Sequence, residues 1–543
     1  MPAVGINRSY FLSLALAIAP LAASFLAFLG ALEAEAVSVM DLQSFARSQS
    51  VATAAGGQAQ LTNANPNIGG WYVLAAQGGG LQGEYHLEVA SPQGVSLALS
   101  PTGLLIHSRA GSQICDIFDP NSRSFLGALE KSHVLFARLC DSNVWLRNGE
   151  GTNQVDSAAA ARFLSRAPSG PADSSRAPAP AETSAAARSE VMPLNMEGTS
   201  PVVAGAWTPS RHRAGVYFSA IEPDQVAPAI LSGDRVADPL GSAEGQTLVS
   251  LVALDLGHFT VAWSHGPLLP GVGSWSTMFP TRRAPTGAGP DGVESLLPLQ
   301  TRAGVMNPAH LENFVASMAG GFQRFHGWMR GGGPYSGRYY GFIQEGVVLS
   351  SMSQGLVTLI VDRQGRVDIK PWDQADAANI ANIRYARQNG VSIVDFRAGR
   401  SVPGDYVSAA KRFWGNWSGN AVHGALQTPR SGACIAENNG ARYLVYAYFP
   451  SATPSAMARV FQAYQCRAAI HLDMNNPQWA YFGLLSNVGG KYLVEHPDRA
   501  MAAKDGLLQI GGRAIPVPRF IAHADMANPG DFFYFMSRDE AAP

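Results

Sequence analysis

Residues 443–473 read Y-L-V-Y-A-Y-F-P-S-A-T-P-S-A-M-A-R-V-F-Q-A-Y-Q-C-R-A-A-I-H-L-D. The run 443–449 is apolar and aromatic throughout, the composition of a buried strand. Thr453-Pro454 is an N-cap followed by proline at the first helical position, and Met457, Val460, Phe461 and Tyr464 recur at helical spacing. A second apolar run, 468–472, ends in Asp473. Strand, helix, strand is a layered unit, and a carboxylate ending its last strand sits where such layers present ligand-contacting groups. Met474-Asn475-Asn476-Pro477 then breaks the chain as a turn.

The same alternation of strands with fewer helices extends over 202–536. Strands are expected at 357–362, 443–449 and 468–472. Asn307-Pro308 repeats the capping device, with Leu311, Phe314, Val315 and Met318 at helical spacing, so a helix is expected there, ending in Gly320-Gly321. Another helix is expected over 373–388, stopping near Gly390. The fold class is therefore α+β, a large mixed-sheet C-terminal domain. Residues 60–154 form a smaller antiparallel β module: Tyr85, Leu87 and Val89 alternate with polar residues, and Pro92-Gln93-Gly94 and Pro101-Thr102-Gly103 mark turns. Between the two, 157–190 is rich in Ala, Pro and Ser with few large apolar residues, which predicts a disordered linker.

The 543 residues carry 39 basic and 40 acidic side chains, a formal charge of −1, without the basic excess of a nucleic-acid binder. Residues 1–36 hold one long apolar run after Arg8, with Ala34-Glu35-Ala36 as a small-x-small cleavage pattern. That segment reads either as a signal peptide or as a membrane anchor, and in both cases the chain is extracytoplasmic, periplasmic or secreted. Cys115 and Cys140 fall in one module and Cys434 and Cys466 in the other, an arrangement that predicts two disulfides in an oxidising compartment; four buried thiols are the alternative. No C-x-x-C, H-E-x-x-H, G-x-S-x-G or P-loop spacing occurs, so the sequence calls for no metal and no cofactor. The glycine-rich run Arg330–Tyr335 lacks phosphate-loop spacing as well.

Three pieces in order, Ala319-Gly320-Gly321-Phe322, Arg430-Ser431-Gly432 and Leu472-Asp473-Met474-Asn475, together with the V-D-R-Q-G-R-V-D-I stretch at 361–369, resemble the phosphodiester glycosidase family. That family includes the uncovering enzyme that removes N-acetylglucosamine from a mannose-phosphate diester. The resemblance spans roughly 215–534. It matches Arg430 to the family arginine, Asp473 to its aspartate, and Gly320, Gly321 and Phe322 to its glycine motif. Ala319 stands where the family has asparagine, Ser431 replaces a threonine, and 474–477 replaces a glycine-rich G-G-G-S.

Such a reaction expels a phosphate monoester, so it needs a cation on the phosphate and a carboxylate at the anomeric side more than a strong general acid. The resemblance casts Asp473 and Arg430 as catalytic, with Gly320, Gly321, His471, Asn475 and Asn476 against the substrate, a glycan or sugar phosphodiester. Each has a plainer reading: Arg430 with Asp473 as an ion pair closing a sheet edge, the two asparagines as a turn, the glycines as a helix cap, His471 as a core side chain. The alternative function is a catalytically silent glycan-binding or scaffolding protein of the cell envelope.

Overall fold

The computed structural model describes residues 39–78, 82–119, 136–140, 142–147, 157–165, 170–194, 196, 201–232, 238–266, 306–322, 339–407, 427–510, 512–519 and 530–538. The apolar N-terminal segment 1–36 and the run Arg330–Tyr335 lie outside them. Among the described residues no helix is long and apolar enough to cross a membrane.

Alternation in the N-terminal module does produce sheets. Arg47–Ala52, Gln58–Asn63, Trp71–Gln77, Gly83–Val89, Val144–Arg147 and Phe136–Arg138 lie side by side in that order, each antiparallel to its neighbour. A three-stranded sheet, Ser96–Leu99, Leu104–Ser108 and Gly111–Cys115, packs on it through Leu61, Leu74, Leu87, Leu104 and Ile106. The Cys115–Cys140 disulfide, with Cα atoms 6.0 Å apart, closes this small core.

Among the described residues the large module holds three antiparallel sheets of five or six strands, with three two-stranded ribbons beside them. The first runs Thr208–Pro209, Val216–Ile221, Val249–Asp255, Ala441–Ala452, Thr428–Asn438, Ala469–Met474. Its central strands are apolar on both faces because both are covered. Leu444, Tyr446 and Tyr448 enter the main core with Phe314, Phe533 and Leu359 from the other two sheets. Val445, Ala447 and Phe449 face the helix Pro454–Ala463, which buries Met457, Val460 and Phe461 on them. The Thr453 side chain caps that helix, and Cys434–Cys466 ties its end to the sheet across a Cα separation of 5.7 Å.

Two expected helices are strands. Asn307 caps and Pro308 begins a turn, but it is only the 3₁₀ segment Pro308–Asn313, and Phe314–Ala319 continues as a strand between Phe482–Val488 and Phe532–Ser537. All six of its residues are buried, so apolar spacing carried no information about period. Asp373 likewise caps only the short helix Gln374–Ala378, after which Ile383–Gln388 is a strand between Phe342–Gln344 and Val357–Asp362. The expected strand at 357–362 is present, and it pairs with Val367–Pro371 so that 361–369 forms a hairpin.

The described parts of the segment expected to be a disordered linker, 157–165 and 170–190, pack on the large module instead. Residues 157–165 form a helix whose Phe163 is buried and stacked on Tyr492 at 4.7 Å. Beyond it the chain lies along the first sheet: Tyr217 donates to the Asp173 carbonyl (2.9 Å), Arg176 binds Asp255 (2.8 Å), and the Trp207 indole donates to Ala179 (2.9 Å). Ala181 and Glu182 amides donate to Gly205 and Ala463. Composition misled because two side chains of the segment, Phe163 and Arg176, suffice as anchors when the module beneath also hydrogen-bonds its backbone.

The two modules are joined by buried polar contacts. Asn307 donates to Glu88 (3.0 Å), His310 shares a hydrogen bond with the Ala90 carbonyl (2.8 Å), and Gln43 meets the backbone of Val348 from both ends of its amide. Beside them Arg384 forks onto the buried Glu345 at 2.7 and 3.0 Å.

Candidate functional site

Gly320 and Gly321 follow the strand Phe314–Ala319 and enter the most polar part of the interior. The Gly320 amide donates to the Asp531 carbonyl (2.8 Å), and its own carbonyl accepts from the Asp473 amide (3.0 Å). The Asp531 carboxylate, itself buried, takes Arg387 Nε at 2.8 Å and Trp263 Nε1 at 2.9 Å. Arg387, also fully buried, reaches on to the Phe322 carbonyl (2.7 Å). Asn389 accepts from the Phe322 amide (3.0 Å) and donates to the His471 carbonyl. A Cβ at Gly320 would meet Asp531 Oδ2 at 2.0 Å, and one at Gly321 would meet Asn389 Cγ at 2.6 Å. The glycines are therefore needed for close approach of two polar side chains, not for capping a helix.

Asp473 is re-aimed by an irregularity in its strand. Arg430 pairs with Met474 but Gly432 pairs with His471, so the four residues His471–Met474 oppose the three residues Arg430–Gly432, a bulge with one extra residue in the Asp473 strand. His471 and Met474 thereby share the helix-covered face with Arg430, while Asp473 is held at the kink by its amide on Gly320 and by Ser431 Oγ donating to its carbonyl (2.8 Å). Its carboxylate is half-buried, and its one side-chain hydrogen bond among the described residues comes from the Met474 amide (2.8 Å). Burial, with Asp531 adding repulsion, pushes this carboxyl up to about 7, against the smaller opposing pull of the Met474 amide, Arg519 and Arg387.

Arg430 does not meet Asp473. The two strands are neighbours, yet the guanidinium is fully buried on the other face, with Nε donating to the Ala452 carbonyl (2.7 Å) and Nη1 against Met474 Sδ (3.4 Å). Burial lowers it to about 10, the response of a cation removed from water. The expected pairing of guanidinium and carboxylate at one sheet edge is overturned: the bulge sends their side chains apart, and the Cys434–Cys466 bond tethers the strands farther along.

His471 is buried between Phe322 (ring centroids 4.9 Å) and Tyr406 (5.8 Å), and burial, reinforced by Arg430, drives its imidazole well below the usual value. It is a neutral core side chain. Asn475 and Asn476 are exposed and shape the turn: Asn475 has a left-handed φ of 74° with its amide on Pro429 (2.7 Å), and Asn476 Oδ1 accepts from Gln478 (2.7 Å). Arg519, whose guanidinium stacks on Trp479 and donates to the Gln478 carbonyl (2.5 Å), is the cation felt most strongly at Asp473.

Sequence reading missed Arg387, Asn389, Asp531 and Arg519. Arg387-Gln388-Asn389-Gly390 carried a signal, two strong hydrogen-bonding side chains before a turn glycine, but it was absorbed into the expected helix. Asp531 opens an aromatic strand, a place where a lone carboxylate is conspicuous. Among the described residues no three His, Cys, Asp or Glu side chains gather as a metal site requires.

No family model matches the chain, and no curated protein does. Among solved structures it is similar to the catalytic domain of zebrafish N-acetylglucosamine-1-phosphodiester alpha-N-acetylglucosaminidase auto-inhibited by its pro-peptide, at 9% identity over 64% of this chain and 87% of that one, TM-score 0.29. It is also similar to a hypothetical protein from Synechocystis (10% identity, 91% and 80% of the two chains, TM-score 0.23). A third is a putative exported protein from Burkholderia pseudomallei (10% identity, 53% and 74%, TM-score 0.22). At these scores the likeness defines neither a fold nor an activity for this chain.

Proposed function

We propose that the large module is a hydrolase-type domain acting on sugar phosphodiesters or phosphorylated glycans outside the cytoplasm, with Asp473 as its acid–base group. The observation that carries this reading is the Asp473 carboxyl itself. It is half-buried at a strand kink, lacks an ion-pair partner among the described residues and is pushed up to about 7. A carboxyl poised near neutrality exchanges a proton readily, which a structural carboxylate in an ion pair does not. Beside it the Gly320 and Asp531 scaffold fixes position, and Arg519, the cation felt most strongly at Asp473, is the candidate for the phosphate in place of Arg430, whose guanidinium lies on the other face of the sheet. The two disulfides, which belong to oxidising surroundings, support that compartment.

The test is release of free sugar from N-acetylglucosamine 1-phosphodiesters by the purified chain. Wild type should turn over and Asp473→Asn should lose about 100-fold or more, the range of a lost general acid or base. Equal turnover by both removes Asp473 from the mechanism.

The second reading, a silent glycan-binding or scaffolding protein, is favoured by Met474. Its side chain is buried against Arg430 where the family keeps a glycine for backbone approach. Saturable glycan binding with no turnover by wild type would select it.

A further inference from the structure

Where the small module meets the large one, a cleft of about 330 Å³ opens, lined by Asn63, Asn67, Tyr72 and Gln93 from the first and by Arg363 and Gln364 from the second. That volume is at the lower end of the ~300–1,000 Å³ of small-molecule sites, which favour junctions between domains. None of its lining belongs to the Asp473 site. We propose that this cleft is a separate binding site for a small anionic saccharide, one sugar ring bearing a phosphate or carboxylate.

Charge supplies the first argument. The lining contains two guanidinium groups and no carboxylate. One of them, Arg384, is already balanced by the forked pair with Glu345. Arg363 is exposed and has no acidic partner among the described residues, because the adjacent Asp362 is spent on Arg366 Nε (2.6 Å) and on the amides of Gln364 and Arg366 (2.9 and 3.0 Å). A single uncompensated cation at a concave polar junction favours one anionic group.

The rest of the lining supplies the second. Four carboxamides line this space; Asn63 Oδ1 already accepts from the Asn65 amide and Asn67 donates to Asn382, and their remaining donors and acceptors with those of Gln93 match adjacent sugar hydroxyls. Tyr72, buried with its hydroxyl committed to the Leu97 backbone, is part of the lining. The walls are also fixed to each other: Asn65 crosses the junction and donates to the Gly346 (3.0 Å) and Ala381 (3.1 Å) carbonyls. A preformed site loses less entropy when it binds.

The experiment is calorimetric titration of the full chain with glucose 1-phosphate and with glucuronate, beside glucose and inorganic phosphate, repeated on Arg363→Ala and on Ser96→Trp. Ser96 is exposed on the cleft lining, so an indole there occupies the space. Saturable binding of at least one anionic sugar is expected, about tenfold or more tighter than glucose, weakened about tenfold by Arg363→Ala and abolished by Ser96→Trp with unchanged melting. Which of the two sugars binds tells phosphate from carboxylate. The proposal is overturned if neither anionic sugar binds, if inorganic phosphate binds as tightly as the sugar, or if binding survives both variants. Diester hydrolysis by Asp473→Asn reads the other site and leaves these outcomes distinct.

Discussion

Gly320 lies so close to Asp531 that a Cβ at position 320 would stand 2.0 Å from the carboxylate oxygen Oδ2. That oxygen is the one held by Arg387 and Trp263, and the Gly320 carbonyl is the one that anchors the Asp473 backbone. One missing methyl group thus lets a buried ion pair and the candidate acid–base residue share a single peptide unit.

Gly320→Ala must therefore expel a buried carboxylate from its guanidinium. Breaking such a pair costs roughly 3–5 kcal/mol, and urea denaturation should show a loss of that order. Gly170→Ala is the control, because a carbon added there meets nothing within 4 Å. A Gly320→Ala midpoint equal to wild type means that the Asp531 contact is not constrained as described.

Stability should fall as pH rises through the range set by Asp473. Its carboxyl titrates near 7 in the folded chain, against an ordinary value of 3.8. Between those values the folded state holds a proton that the unfolded state has released, so stability is greatest below the lower one and is lost on approaching the upper. Thermal melts across this window should show a decline that Asp473→Asn flattens. Parallel declines in both proteins would place the titration elsewhere.

Arg430 holds the sheet rather than the substrate. Arg430→Met keeps much of the volume but leaves the Ala452 carbonyl without its donor, a loss of about 1–3 kcal/mol in denaturation. Where diester turnover is measurable, kcat/KM of the folded variant should match wild type. Intact stability with turnover abolished would return Arg430 to the reacting centre.

The two modules should unfold as one. Arg384→Met strands the buried Glu345 at their junction, and the expected cost is roughly 3–5 kcal/mol, with a single transition preserved. Two separated calorimetric transitions in the wild type would show instead that the contacts of Asn307, His310 and Gln43 do not couple the modules.

Local chemistry was legible along the chain. The Thr453-Pro454 cap, the apolar runs flanking it, the alternation at 85–89 and the two cysteine pairs all appear as read, because each depends on neighbours a few residues away or on a count. Asn307-Pro308 and Asp373 also cap as expected, yet each cap opens only a short turn before a strand takes over. Once a segment is buried on every side, apolar spacing no longer distinguishes a period of 3.6 from one of 2, and pairing with distant strands decides.

By itself, then, the sequence determined the α+β class, the buried strand–helix–strand unit, the division of the four cysteines into one pair per module and the presence of a carboxyl at a strand end. Tertiary structure alone decided that 170–192 is ordered, that Asp531 meets both Arg387 and Gly320, and that Asp473 and Arg430 point apart. The reason is physical: backbone partners more than 200 residues away and one extra residue in a strand leave no mark on local composition, yet they set where every charge finishes.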